Sequence, residues 1–264
     1  MTSHHDQPVH RWNGANFEMA KDTLADESVV QLHLNGEHIT TLLATNADLD
    51  CLIRGHLATQ YNLIELENSS SISTEHANGI HVVNLDAEGS TITSRRTEIV
   101  TTSCGACDLD GLADIVKQTP HVNPPDLPYN LNKILKRIDS LTKNQPLFER
   151  TGGVHAAGLM FENADKTIVM EDIGRHNAVD KVIGCSLLRG VEERPTALLL
   201  SGRCGWDIVA KAAQMNIPLI VSIGAASELA ATAARQIGMT LCTFSRSGKS
   251  TVIGMVNGRF EAKD

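Results

Sequence analysis

The hydrophobic and polar positions of the first hundred residues predict short strands around one helix. Apolar runs on both sides of Asn35-Gly36 predict a hairpin over residues 29–43, because this dipeptide readily adopts the positive φ angles of a tight turn. Apolar residues at three-and-four spacing predict a helix over 48–61, and the runs 80–85 and 91–100 are typical of further strands. The first part of the chain therefore resembles a small α+β unit.

The rest of the chain alternates strand-like and helix-like segments after a polar connector. Residues 108–130 contain four prolines and are typical of a connector. A helix is predicted over 131–141, and the apolar runs 154–161 and 167–171 flank a turn and predict a second hairpin. Further helices are predicted over 176–188, 206–215 and 227–237, and further strands over 196–201, 218–222, 240–244 and 251–256. Such alternation builds a largely parallel sheet covered by helices.

The composition narrows the class of protein. Apolar residues make up 42% and charged residues 20% of the 264 residues, as in an ordinary globular protein. The apolar runs are far shorter than the ~20 residues needed to cross a bilayer, and the first twenty residues lack the features of an export signal. We therefore expect a cytoplasmic protein without a membrane span. A net charge of −8 argues against nucleic-acid binding, so an anionic ligand needs a local positive pocket.

Two of the six cysteines, Cys104 and Cys107, are close in sequence and form a C-x-x-C motif. An exposed thiol with a lowered pKa is a nucleophile, and a second thiol can release a bound sulfur or protect the first from oxidation. The same spacing also occurs in half of a structural zinc site, which Cys51, Cys204 or His155 would have to complete. A thioredoxin-like redox motif is a third interpretation. The spacing alone leaves these alternatives open.

Two Gly-Arg turns each stand between a predicted strand and a predicted helix. The first continues into Arg175, His176 and Asn177, and the second contains Arg203. Helix starts present unpaired N–H groups and a positive dipole end, so both turns favour phosphate or another anion at the carboxyl edge of the sheet. The alternative is that His176 and Asn177 cap a helix while the arginines pair with Glu171 or Asp207.

A basic segment near the end of the chain contains Gly-Lys-Ser. It comprises Phe244, Ser245, Arg246, Ser247, Gly248 and Lys249. A nucleotide-binding phosphate loop requires a glycine at position 243 and a helix afterwards, but the chain has Thr243 and a strand-like run. We therefore expect a basic loop that contacts an anionic ligand, and not a nucleoside triphosphatase.

Taken in order, these motifs resemble the formate dehydrogenase accessory sulfurtransferase family, FdhD. The resemblance rests on residues 103–107, 151–157, 171–184, 201–203, 211–213 and 244–246. It implies a sulfurtransferase that accepts sulfur from a cysteine desulfurase and passes it to the molybdenum bis(guanine dinucleotide) cofactor of formate dehydrogenase. It also implies that Cys104 carries the persulfide, that Cys107 is its partner, that residues 244–249 bind the cofactor, and that the protein is a homodimer.

The resemblance further implies an α/β fold, α+β overall, with a cytidine deaminase-like three-layer domain around a mixed, largely parallel sheet. We predict a flexible N-terminal tail at 1–20, an N-terminal α+β domain at 21–125 that includes the cysteine motif and connector, and the cytidine deaminase-like domain at 126–264. Two other functions remain open, namely a cofactor-binding chaperone that moves no sulfur and a zinc-binding deaminase-like protein. The helix starts lack the catalytic glutamate and second C-x-x-C of a deaminase, which argues against deamination.

Overall fold

The computed structural model describes residues 3–64, 70–87, 119–141, 143–162 and 167–261. The strands are β1 (His4–Trp12), β2 (Phe17–Ala25), β3 (Ser28–Leu34), β4 (Glu37–Ala44), β5 (Ser71–Ala77), β6 (Ile80–Asp86), β7 (His155–Phe161), β8 (Ile168–Asp172), β9 (Pro195–Leu200), β10 (Leu219–Ser222), β11 (Thr240–Arg246) and β12 (Lys249–Ile253). The helices are α1 (Leu49–Tyr61), α2 (Leu131–Leu141), α3 (Pro146–Thr151), α4 (Arg175–Leu188), α5 (Trp206–Gln214) and α6 (Glu228–Gln236). None of the described helices is long and apolar enough to cross a membrane.

The larger sheet has six strands in the order β12-β11-β10-β9-β7-β8. Its central strands β9, β10 and β11 are parallel, whereas β7, β8 and β12 are joined by antiparallel pairings. The sheet is therefore mixed, as predicted, but the expectation of a largely parallel sheet was wrong outside its centre. The reason is that β7–β8 and β11–β12 are hairpins, and a short connection permits only antiparallel pairing.

Helices cover both faces of this sheet, and side chains along each strand alternate between the faces. Leu198 and Leu200 of β9 pack with α4, α5 and α6, whereas Leu199 between them packs with α2 on the opposite face. This arrangement explains why the strands are continuously apolar, because both of their faces are buried. The mixed α/β architecture is thus confirmed.

A second sheet of four strands, in the order β4-β3-β6-β5, lies beside α1. Leu52, Ile53 and Leu57 of α1 pack with Val30 and Leu32 of this sheet. On another side of the helix, Ala58 belongs to the core that α4 shares with the larger sheet. Helix α1 therefore lies between the smaller sheet and the helix layer of the larger one.

Two glycines allow α1 and α4 to cross at close range. A Cβ atom on Gly55 of α1 would overlap the carbonyl oxygen of Asp180, and one on Gly184 of α4 would overlap the carbonyl oxygen of Cys51. Side chains at these positions would push the backbones apart. The crossing therefore depends on the absence of a side chain at both.

The structure contains elements that the sequence did not predict. Strands β1 and β2 pair as an antiparallel hairpin where a flexible tail was expected up to residue 20. Most side chains of this hairpin are exposed, so the strands show no alternation of apolar and polar residues. Strand β5 and helix α3 were also missed. The predicted strand 91–100, the cysteine motif and part of the connector lie outside the described residues, and the domain boundary at 125 stays a prediction.

Candidate functional site

Four strands of the larger sheet end at the same edge, because β8, β9, β10 and β11 run in the same direction. Backbone hydrogen bonds join the segments that follow them: Gly224 N–H donates to Gly202 O at 3.2 Å, and Phe244 N–H donates to Gly224 O at 3.1 Å. In open α/β sheets, ligands bind outside the carboxyl ends of the strands. This edge is therefore the candidate site, and we call it the carboxyl-edge cleft.

A cavity of about 340 Å³ opens at the cleft. It is lined by the segment from α3 to β7 and by the ends of β9 and β10, namely Gln145, Phe148, Gly152, Gly153, Val154, His155, Ser201 and Ile223. The hydroxyl of Ser201 accepts a hydrogen bond from Ala156 N–H at 2.8 Å, which fixes the end of β9 against the start of β7. The floor of the cavity is thus held in place by the sheet itself.

Arg175 and Arg203 give the cleft a local positive field around His155. Burial lowers the pKa of His155, and the positive charges of Arg175 and Arg203 lower it further, which places both arginines near this histidine. Among the described residues, neither arginine forms an ion pair or a side-chain hydrogen bond. The alternative in which the arginines pair with Glu171 or Asp207 was therefore wrong, and both guanidinium groups are available to an anion.

The two acidic residues have other partners. Glu171 accepts hydrogen bonds from Leu147 N–H and Phe148 N–H at 2.9 Å each and so caps the start of α3. Asp207, in the first turn of α5, pairs with His176 at the start of α4. Burial lowers the pKa of His176, and the negative charge of Asp207 opposes this effect. The His176–Asp207 pair connects the two helix starts, a contact that the sequence did not reveal.

Asn177 is placed beneath the cleft and not in it. Its side-chain amide donates to Leu43 O at 2.8 Å and to Asp172 Oδ1 at 3.0 Å. Asp172 also pairs with the fully buried Lys181 at 2.6 Å, and Lys181 donates to Thr45 O at 3.0 Å. Asn177 therefore positions the turn that presents Arg175 and His176. The capping alternative for this residue was wrong, because Gly174 is the N-cap of α4 and no side chain caps it.

The predicted basic loop, residues 244–249, is the end of the β11–β12 hairpin. Phe244 is 51% exposed and has a φ of 51°, which a non-glycine residue rarely adopts. Ser245 is buried, and its hydroxyl lies 2.9 Å from that of Ser250. Arg246, Ser247, Gly248 and Lys249 are exposed at the hairpin tip. Of this loop, Phe244 is joined to the cleft by its hydrogen bond to Gly224.

A buried polar cluster behind the cleft was missed by the sequence analysis. Lys211 Nζ lies 2.7 Å from each carboxylate oxygen of Asp180 and donates to Thr59 Oγ1 at 3.1 Å. Burial alone would raise the pKa of Asp180, but the Lys211 charge and the His56 hydrogen bond outweigh it and lower the pKa to about 2. The sequence signal was a lysine and an aspartate within otherwise apolar helix faces.

Comparison with known proteins assigns a family to this arrangement. The model of the FdhD/NarQ family matches residues 25–255. The chain belongs to the FdhD/NarQ family. The sulfur carrier protein FdhD of Corynebacterium efficiens is 31% identical over 243 residues, which cover 86% of this chain and 87% of that protein. The protein of the same name from Anaeromyxobacter dehalogenans is 33% identical over 260 residues, which cover 90% and 88%.

The fold of this FdhD/NarQ chain also matches a solved structure. It is the crystal structure of a protein named as a formate dehydrogenase accessory protein from Desulfotalea psychrophila, with a TM-score of 0.75 and 23% identity over 98% of this chain and 100% of that one. At this identity the match concerns the fold alone. Cys104 and Cys107 lie outside the described residues, so their role stays a prediction.

Proposed function

We propose that the protein is a cytoplasmic sulfurtransferase that carries sulfur on Cys104 and delivers it to a dinucleotide cofactor held at the carboxyl-edge cleft. The donor is a cysteine desulfurase, and the substrate is the molybdenum bis(guanine dinucleotide) cofactor of formate dehydrogenase. Membership of the FdhD/NarQ family and relatives named sulfur carrier proteins support this proposal. The single structural observation that carries it is the position of Arg175 and Arg203 near His155 of the cavity, with no ion pair for either arginine among the described residues.

The sulfur step needs only thiol chemistry. The Cys104 thiolate attacks the outer sulfur of the desulfurase persulfide, so the donor S–S bond breaks, Cys104 becomes a persulfide and the donor thiolate leaves. Attack of the Cys107 thiolate on the inner sulfur of Cys104 then releases hydrosulfide and leaves a Cys104–Cys107 disulfide, which a cellular thiol reduces. The released sulfur is the group delivered to the cofactor.

The cleft supplies the binding part of the reaction. Two guanidinium groups bind phosphate oxygens by charge-assisted hydrogen bonds, which are stronger than neutral ones. The cavity at His155 accommodates one end of the ligand. Phe244, whose N–H bonds to Gly224 next to the cavity residue Ile223, offers an exposed apolar ring. Arg175 and Arg203 concentrate positive charge here, although the protein carries a net charge of −8.

The sulfur assignment is tested by mass spectrometry of the intact protein after incubation with a cysteine desulfurase and cysteine. We expect one added sulfur on Cys104, its loss in Cys104→Ala, and its retention in Cys242→Ala. Cys242 is a suitable control because burial raises the pKa of its thiol to about 11. An unmodified Cys104 together with a labelled cysteine elsewhere would reject the assignment.

The cleft is tested by calorimetric titration with GDP-mannose, a soluble guanosine diphosphate ester. Loss of one charge-assisted contact in Arg175→Gln or Arg203→Gln should weaken binding roughly tenfold. Arg235→Gln, an exposed position in the last turn of α6, is the matched control and should bind normally. Unchanged affinity in both cleft variants would place the ligand elsewhere.

A maturation assay separates sulfur transfer from binding alone. If Cys104→Ala still supports maturation of formate dehydrogenase while the cleft variants do not, the protein is a cofactor-binding chaperone.

We further propose a cytidine deaminase-like arrangement of the six-stranded unit and a homodimer in solution. Light scattering coupled to gel filtration measures the molecular mass in solution, and the mass of a monomer would contradict the proposed homodimer.

A further inference from the structure

A pair of buried cysteines, distinct from the C-x-x-C motif, lies where α1 and α4 cross. Because Gly184 has no side chain, the α4 backbone approaches the carbonyl group of Cys51, and the neighbouring residue of α4 is Cys185. Cys51 is 5% exposed and Cys185 is 3% exposed. Each thiol influences the pKa of the other, which places the two side chains near one another. Two buried thiols from distant parts of the chain are thus neighbours at the helix crossing.

The surroundings of the two thiols differ. The neighbouring Cys51 thiol lowers the pKa of Cys185 against the effect of burial, and the positive charge of Arg189 lowers it further. The Cys185 thiol and burial together raise the pKa of Cys51. Burial raises the pKa of Cys204 to about 12 and that of Cys242 to about 11. Of the four described cysteines, Cys185 is therefore the one whose pKa is lowered, which favours its thiolate as the nucleophile.

The pair lies just below the protein surface. Asp48, Asp50 and Arg189 are close enough to influence the thiols, and Asp48 and Arg189 are exposed. Asp48, the residue before α1, has a left-handed φ of 53° and forms no side-chain cap. An uncapped helix start opens more easily than a capped one. A small oxidant therefore has a short path to Cys185.

We propose that Cys51 and Cys185 form a reversible disulfide that joins α1 to α4 when the protein encounters a peroxide. The Cys185 thiolate attacks one oxygen of hydrogen peroxide, the O–O bond breaks, and Cys185 becomes a sulfenic acid as hydroxide leaves. Cys51 sulfur then attacks the Cys185 sulfur and displaces the second oxygen as water. Two thiols and one peroxide yield one disulfide and two water molecules, and a thiol reductant reverses the change.

The disulfide has a structural consequence that does not depend on the proposed sulfur transfer. Helix α1 carries the core of the four-stranded sheet, and α4 begins with Arg175 and His176 of the cleft. A covalent link between them fixes the two sheets relative to one another. Oxidation therefore restricts the motion of α4, whose first residues belong to the cleft, relative to α1.

The test is peptide mapping of the full-length protein, reduced and then treated with hydrogen peroxide. After alkylation in denaturant and proteolysis, mass spectrometry should find a cross-linked peptide with Cys51 and Cys185, two hydrogen atoms lighter than the free peptides, which dithiothreitol reverses. Its formation should be at least about ten times faster than any oxidation of Cys204 or Cys242. Separate alkylation of Cys51 and Cys185 after oxidation, with no cross-linked peptide, would overturn the proposal.

Variants separate this disulfide from one between Cys104 and Cys107. In a Cys104→Ser, Cys107→Ser background, oxidation should raise the melting temperature by roughly 3 °C or more, because the link closes a long loop. With Cys51→Ala added, the shift should disappear and Cys185 should be trapped by dimedone as a sulfenic acid. Cys242→Ala should keep the shift. If a variant does not fold, the peptide map of the wild-type protein decides alone.

Discussion

His155 is the side chain on which the charge of the cleft acts most directly. Burial and two arginines all lower its pKa below the ordinary 6.5, so it is neutral in the free protein at neutral pH. A bound phosphate would offset the arginine charges and raise this pKa again. Ligand binding and protonation of His155 are therefore coupled, and each favours the other.

This coupling predicts how ligand affinity changes with pH. As pH falls from neutral through the ligand-bound pKa and then the lower free-state pKa, the affinity for GDP-mannose should rise, by about tenfold for each unit between the two pKa values. His155→Gln should remove this rise while leaving His176 in place. Titration calorimetry in buffers of different ionisation enthalpy measures the proton uptake. A wild-type affinity that is flat across this range would contradict the coupling.

Buried charged residues are difficult to identify from the sequence alone. Arg175, Arg203 and His176 were singled out correctly as neighbours at one edge of the sheet, because strand–turn–helix order fixes where a turn lies. Lys181 and Lys211 lie in the motifs of the family resemblance, but the sequence did not reveal that both are buried and paired with aspartates. Lysine is almost always exposed, and only the three-dimensional position of its partner distinguishes a buried pair from a surface one.

The crossing of α1 and α4 shows how a helix pair can depend on glycine. In a helix interior, glycine is about 1 kcal/mol less favourable than alanine, so Gly→Ala there normally stabilises a protein. Gly184 is an exception because its Cβ position is occupied by the Cys51 carbonyl oxygen. The helix propensity and the packing at this position therefore oppose one another, and the packing decides the outcome.

We accordingly expect Gly184→Ala to destabilise the protein by roughly 2 kcal/mol or more, since the backbones must separate. Gly153→Ala is the control, because its added Cβ would meet its nearest neighbour, Ala25 Cβ, at 3.5 Å, an ordinary contact. Urea unfolding followed by circular dichroism measures both changes. Equal stability of the two variants would show that α1 and α4 can separate at little cost.

Elements with a clear apolar period were predictable, and those without one were not. Helices α1, α2, α4, α5 and α6 and the hairpins β3–β4 and β7–β8 were located from the sequence. Strands β11 and β12 were also located, but their pairing as a hairpin was not predicted. Hairpin β1–β2 lacks such a period because nearly all its side chains are exposed. The antiparallel position of β7 between β8 and β9 was also not predicted, since strand order depends on contacts between distant segments.

The two sheets are held together by one buried charge as well as by apolar packing. Asp180 of α4 accepts a hydrogen bond from Thr59 of α1 at 2.8 Å and pairs with Lys211 of α5 at 2.7 Å, while His56 Nδ1 lies 3.4 Å away. The carboxylate therefore links the helix that carries the smaller sheet to two helices of the larger one. The ionisation state of Asp180 therefore affects the stability of the whole fold.

This link predicts a pH dependence of global stability. The pKa of Asp180 is about 2 in the folded protein against an ordinary 3.8, so its contribution is fully present above pH 3.8 and is lost as pH falls towards 2. Asp180→Asn should destabilise the protein at neutral pH by about 3–5 kcal/mol, because Lys211 stays buried without its counter-charge. The free energy of unfolding of the variant should also fall less steeply than that of the wild-type protein as the pH is lowered.

Asp22→Asn is the matched control for this prediction. Asp22 pairs with Arg11 at 3.2 Å, but both side chains are exposed, so its loss should cost less than about 1 kcal/mol. Urea unfolding at several pH values, followed by both circular dichroism and tryptophan fluorescence, measures the free energy of unfolding of the wild-type protein and of each variant. Because Asp180 joins both sheets, the two signals should shift together in Asp180→Asn. A shift no larger than that of Asp22→Asn would show that the buried pair does not couple the sheets.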